Sequence, residues 1–303
     1  MSERTLKQLV GALIVVVALW GVTTLFSGGA GSIAASGDIA KIFAGLDESS
    51  IDAVRMSRRD APVELLRQGG DWAVNGFASD SLSVARFFAV LPGLEIGELV
   101  ATNAANHDRM GVSDDSATTV EFDVSGGVRT ILIGKGGRRF GTSYARLPAD
   151  DQVYLVVGDL RAHVNRRLDE WRNKRMSAVD SSRVDRLEVE REGDAYTLVR
   201  ADTVWTFEDG NEADVNAVRG ILSELARLMA TGFVAEGDSI GALPRGASTV
   251  AYSGAGELLA EITLGSGDGD RWGRAAGDEV TYRVSSFRVG RVAPKREDVE
   301  AGS

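Results

Sequence analysis

Two stretches of the chain, 134 positions apart, carry the same hydrophobic pattern. Val84, Phe87, Leu91 and Leu94 recur at three- and four-residue steps, as do Val218, Ile221, Leu225 and Leu228. That spacing predicts one apolar face on each of two amphipathic helices. Asp80 and Asp214 stand just before these faces, where a carboxylate accepts from the free N–H groups of a first helical turn. Upstream of each helix, IDAVRMSRR and VELLRQ in the first copy, VDRLEVERE and AYTLVRA in the second, read as strand pairs. Each pair ends in a tryptophan turn, and Trp205 follows Trp72 by 133 positions.

The parallel continues downstream. Met110-Gly111-Val112 matches Ile240-Gly241-Ala242, TVEFDV matches TVAYSG, and the strand ending at Gly134 matches the one ending at Gly265. Tyr144-Ala145-Arg146 matches Trp272-Gly273-Arg274, and VYLV at 153–156 matches TYRV at 281–284. The predicted fold class is therefore α+β: two tandem repeats, each an antiparallel sheet with one covering helix. Trp72, Asp80 and Gly111, with Trp205, Asp214 and Gly241, are the expected keystones of this frame. Repeated aromatics of this kind serve as core anchors more often than as ligand-stacking platforms.

Before the repeats lies a different pattern. Leu9 to Phe26 are eighteen positions without a charge, about 27 Å as a helix against roughly 30 Å of bilayer hydrocarbon. Arg4 and Lys7 precede it and no cation follows closely, so the segment is read as a signal anchor with the N-terminus in the cytoplasm. Cleavage near Ala30 or Ala35 is the alternative. Either way residues from about Ser27 are expected outside the cytoplasmic membrane, in the periplasm or beyond. The predicted organisation is residues 1–8 cytoplasmic, 9–26 transmembrane, 27–45 a flexible tether, 46–176 and 177–293 the two repeats, and 294–303 a disordered tail.

Charge and composition narrow the chemistry. The 303 residues carry a formal net charge of −10, which argues against a nucleic-acid partner because phosphate neutralisation needs a basic surface. There is no cysteine, so disulfides, thiolate metal sites and a cysteine nucleophile are excluded. The only histidines are His107, expected in a loop, and His163, expected on an exposed junction helix; their spacing suits no metal site or triad. No GxSxG elbow occurs, and GKGG at 134–137 lacks the Ser or Thr that a phosphate loop places after its lysine. Asp268 and Asp270 in GDGDRWG hold two of the positions of a calcium loop but lack a central ligand, and read as a solvated hairpin. Asp114-Asp115 has no assignable partner carboxylate. The cofactor and metal expectations are none. From Arg161 to Arg186 the chain is rich in cations and is expected to form a helix joining the repeats. Arg166, Arg167, Arg172, Lys174 and Arg175 are the candidate partner-binding residues, for an acidic protein or lipid head groups, on this basic face.

The order of these features resembles the domain-of-unknown-function 4340 family. The residues that carry the resemblance are Trp72, Asp80, Gly111, Gly134, Tyr144 to Arg146, Val153 to Val156 and Trp171-Arg172-Asn173-Lys174-Arg175. In the second half they are Trp205, Asp214, Ile240 to Pro244, Gly265, Trp272 to Arg274 and Tyr282. Ser113 stands where the family pattern has a proline, and Trp272-Gly273 where it has an aromatic-Ala pair. The resemblance implies a membrane-anchored accessory component beside ABC-type export permeases of the gliding-motility kind. The expected function is thus a non-catalytic scaffolding subunit of a membrane complex, with an envelope glycan- or lipid-binding module as the alternative.

Overall fold

A computed structural model of the protein describes residues 39–58, 62–235 and 237–302. The predicted anchor and most of the tether lie outside these residues. Among the described residues no helix is long and apolar enough to cross a membrane. The chain divides into two compact units, one ending at Asn173 and the other beginning at Lys174.

The first unit opens with a short helix, α1 (Ala40–Phe43). Ile39, Ile42, Phe43 and Leu46 are buried in the unit's core. This end of the predicted tether is therefore packed, and Arg129 fixes it by donating to the Ala44 carbonyl at 2.7 Å. Strands β1 (Ile51–Ser57), β2 (Val63–Gln68), β3 (Asp71–Val74) and β4 (Phe77–Ala78) follow, then helix α2 (Ser81–Val90) and β5 (Glu95–Ala101). After a one-turn helix α3 (His107–Met110) come β6 (Thr118–Val124), β7 (Gly127–Gly136), β8 (Thr142–Arg146) and β9 (Val153–Val157), then short helices α4 (Leu160–Val164) and α5 (Leu168–Trp171). The nine strands form one antiparallel sheet in the order β4-β3-β2-β1-β6-β7-β8-β9-β5. Helix α2 carries the chain from one edge to the other.

The second unit repeats the plan with β10 (Arg186–Arg191), β11 (Asp194–Ala201), β12 (Val204–Phe207), helix α6 (Val215–Leu225) and β13 (Gly232–Phe233). Strands β14 (Arg245–Tyr252), β15 (Leu258–Gly265), β16 (Arg271–Ala275) and β17 (Tyr282–Val284) and helix α7 (Ser286–Val292) complete it. Its sheet order, β12-β11-β10-β14-β15-β16-β17-β13, is that of the first unit without β4. Register agrees residue by residue: Ile133 faces Ala145 as Leu264 faces Gly273, and Ala145 faces Tyr154 as Gly273 faces Tyr282.

Four expectations change. The predicted amphipathic run after Asp80 is α-helical only to Val90, because Pro92 lacks the N–H a helix interior needs; Leu91–Gly93 form a 3₁₀ turn, the chain from Glu95 becomes β5, and Leu94 and Leu228 are buried outside the helices. Each sheet carries a second short helix after its last long strand, where Leu160, His163 and Val164 match Val289, Val292 and the following Ala293 in burial. The TVEFDV and TVAYSG segments align one residue differently from the sequence match. Val120 and Phe122 pair with the β7 positions that Thr249 and Ala251 pair with on β15, and all four are buried. A one-residue shift exchanges the faces of a strand, and the core tolerates Thr249 because its hydroxyl donates to the Val292 carbonyl at 2.7 Å.

The fourth correction concerns the junction and the tail, which prove to be the same piece of the repeat. The chain after α4 returns to the start of α2, where the Asp80 N–H donates to the Trp171 carbonyl at 2.7 Å and Ser79 bridges Arg172. The tail does the same in the second unit: the Asp214 N–H donates to Val299 at 2.8 Å and Ala213 bridges Glu300. Trp171 and Val299 are both fully buried. The junction is thus two short helices followed by extended chain, and residues 295–301 are ordered against α6 by a buried valine.

Candidate binding pocket of the first unit

The predicted keystones serve the frame. Trp72 and Trp205 are buried, and the Trp72 indole N–H donates to Glu48 at 2.9 Å. Asp80 accepts from the Ser83 N–H at 2.7 Å, and Asp214 from the N–H groups of Asn216 and Ala217 at 2.8 Å. The two matched glycines differ. Gly111 ends α3 in the left-handed region at φ 69°, whereas Gly241 lies inside a one-turn 3₁₀ helix (Ser239–Ala242) without positive φ.

The histidines are both buried. His107 is the first residue of α3 rather than part of a loop, and its Nε2 lies 3.0 Å from the Asp151 carbonyl, joining that helix to the β8–β9 loop. His163, predicted on an exposed face, packs near the Phe87 ring because its helix is covered by α2. Burial first, and then the charges of Arg166 and Arg86, hold its pKa below the ordinary 6.5 against an opposing pull from Asp159. Gly134 to Gly136 of the GKGG segment are the end of β7 rather than a turn. Asp268 and Asp270 are exposed in the β15–β16 turn, and no group of three or more metal-ligating side chains occurs among the described residues. Asp114 pairs with Arg146, a buried guanidinium that also donates to the carbonyls of Val112, Leu147 and Pro148.

The five candidate cations divide between the two units, Arg166, Arg167 and Arg172 in the first and Lys174 and Arg175 in the second. Arg172 is largely covered, its guanidinium 3.8 Å from the Phe77 ring centroid and 3.7 Å from Asp169. Lys174 and Arg175 begin the second unit as extended chain: the Lys174 carbonyl accepts from Ala230, and Arg175 bridges Met229. Only Arg166 and Arg167 come together, at the mouth of a cavity of about 460 Å³. The buried side chains of Met56, Val63 and Val164 make its floor with Leu168, and Arg58, Asn165 and Asp169 complete the lining.

Arg58 was missed by the sequence reading; it reaches the pocket because β1 ends beside the turn that follows α4. Arg167 makes an exposed contact with Glu170 at 3.8 Å, a type of pair that contributes little. Arg166 lies 5.5 Å from the Trp171 ring centroid. Neither Arg58 nor Arg166 has a carboxylate within 4.0 Å among the described residues. The pocket therefore offers three guanidinium groups over an apolar floor, with one acidic side chain already engaged by Arg172. A second cavity of about 470 Å³ lies beside Trp72 and Phe77, but there Glu48 and Arg172 are bound to these two aromatics.

A family described as a domain of unknown function (DUF4340) matches residues 72–244, more than half of the chain and parts of both units. No curated protein and no solved structure matches it.

Proposed function

The chain belongs to the domain of unknown function family DUF4340, and from that premise we propose that it is a non-catalytic, extracytoplasmic subunit of a membrane complex, an ABC-type exporter. In this reading the N-terminal apolar segment anchors the protein in the cytoplasmic membrane, with both units outside. The family resemblance supports the exporter association.

The observation that carries a binding role is the contrast between repeated and unrepeated residues. Trp72 and Trp205 are both packed in the cores, and Asp80 and Asp214 both cap helices, so the shared side chains are engaged by the frame. Spare bonding capacity lies instead at the pocket of Arg58, Arg166 and Arg167. That pocket is built to receive an acidic group, and its apolar floor also favours the alternative of an envelope lipid-binding module.

Purification of the full chain from membranes in mild detergent tests the association. Recovery together with an ABC permease and its ATPase supports it, and recovery of the chain alone overturns it.

A further inference from the structure

The second unit shows what fills the place that the pocket occupies in the first. Met56 pairs with Val63 as Val189 pairs with Tyr196, and Leu65 pairs with Val74 as Leu198 pairs with Phe207. Val63 and Tyr196 therefore hold one frame position, and Val74 and Phe207 another. Two residues beyond Met56 stands Arg58, and two beyond Val189 stands Arg191. Counting back three from Trp171 and Val299 places Leu168 opposite Arg296.

In the second unit an aromatic body and carboxylates occupy this end, beside a cavity of about 440 Å³ that Val189, Tyr196, Phe207, Asp209 and Arg296 help to line. The buried Tyr196 ring packs edge-on against Phe207 at 5.5 Å, and its hydroxyl donates to the Pro294 carbonyl at 3.0 Å, in the turn that corresponds to Asn165 and Arg166. Arg296 lies over the Phe207 ring and pairs with Asp209. Arg191 donates to the Ala293 carbonyl at 3.1 Å, with Glu192 at 3.7 Å. In the first unit valines replace both aromatics, Gly76 stands where Asp209 does, Leu168 stands where Arg296 does, and Arg58 keeps the place of Arg191. Val63 lines the same cavity as Arg166 and Arg58, neither of which has a carboxylate within 4.0 Å among the described residues.

We infer that this pocket binds a small amphiphilic anion, a compact apolar body carrying a carboxylate or phosphate, in the manner in which Tyr196 and Asp209 complete the second unit. The apolar part rests on Met56, Val63 and Val164, where area removed from water is favourable. The anionic head sits among Arg58, Arg166 and Arg167, which can take it with charge-assisted, two-point hydrogen bonds. A volume of about 460 Å³ is within the range of small-ligand sites. The inference deepens the binding role proposed for the pocket and is independent of which membrane complex the protein joins.

The test is calorimetry on the full chain in an uncharged detergent, with 3-phenylpropanoate and hexyl phosphate as probes. Inorganic phosphate and 3-phenylpropylammonium serve as controls. Saturable binding of both probes is expected, about tenfold or more weaker when Arg58→Gln and Arg166→Gln are combined. Val63→Tyr, which installs the second unit's plug, should abolish binding while melting at or above the wild-type temperature. If Val63→Tyr does not fold, the double arginine variant decides alone. No binding by the wild type, inorganic phosphate binding as tightly as hexyl phosphate, the ammonium probe binding as well as the anions, or undiminished binding in the double arginine variant would each overturn the inference. Co-purification with a permease is read separately, so failure of the ligand assay and failure of the complex assignment are distinguishable.

Discussion

The two units share a sheet order, apart from β4, and most of their strand register, yet they fill the same end of the fold with different side chains. In the second, Tyr196, Phe207 and the Arg296–Asp209 pair fill the corresponding positions with side chains that bond to one another and to the chain's own backbone. In the first, Val63 leaves a floor of apolar side chains under Arg58 and Arg166, which have no carboxylate within 4.0 Å among the described residues. Duplicated frames make such a contrast informative: where both copies keep a residue, packing explains it, and where only one copy keeps its internal partner, the other copy is free to take an external one.

Breaking the shared frame should have the largest effect. Trp171→Ala removes a fully buried ring that packs edge-on against Phe87 at 5.7 Å, and should destabilise the first unit by ~3–5 kcal/mol. Val299→Ala at the equivalent position should cost the second unit about 2 kcal/mol. Amide hydrogen exchange of the full chain, read peptide by peptide, should show each loss of protection confined to the altered unit. Equal losses in both would mean that the units do not open separately.

The matched glycines sharpen the comparison at an intermediate scale. A Cβ on Gly134 would lie 2.5 Å from the Met110 carbonyl oxygen, which is backbone, whereas on Gly265 it would meet the Trp272 ring. A ring can shift more readily than the backbone carbonyl that ends α3, so Gly134→Ala should cost ~1–3 kcal/mol and Gly265→Ala less. Urea denaturation midpoints of the two variants check the order.

The smallest effect is a difference in acid sensitivity. The folded pKa of His163 is depressed, so its contribution is present above the unfolded value near 6.5 and is lost as pH falls below it, when only the unfolded chain gains the proton. The Arg296 hydrogen bond depresses the carboxyl of Asp209, so the contact closing the second unit persists until pH falls below about 3.8. Between these values exchange protection should decline in the first unit and hold in the second. His163→Phe should flatten the dependence in the first unit, and an unchanged slope would exclude His163 as its source.

Much of the frame is legible in the chain itself. The positions of Asp80 and Asp214 before their apolar faces locate both helix starts, and the spacing of Trp72 and Trp205 announces the duplication. Other features are not legible, for identifiable reasons. Val120 and Phe122 against Thr249 and Ala251 could not be aligned from side-chain type, because β-branched and aromatic residues suit either face of a strand and only the pairing register decides. The second helix of each unit, five residues in α4, is too short for a periodic signal. Residues 295–301 read as a polar tail because Val299 is their one buried apolar side chain, while their other anchors are backbone hydrogen bonds to Asp214 and Glu212 and the polar contacts of Arg296 with Asp209 and of Glu300 with Asn211, which leave no apolar mark in composition.

The candidate site divides in the same way. The concentration of cations around Arg166 and Arg167 is a property of neighbouring residues and could be read along the chain. Their separation from Arg172 and their meeting with Arg58 depend on where β1 ends relative to the turn after α4. The sequence by itself determined the duplication, the strand and helix periods and the caps, because these are interactions between residues a few positions apart. Only the tertiary structure decided which cations share a pocket and that Val63 answers to Tyr196, because sheet register brings together residues that local preferences leave unrelated.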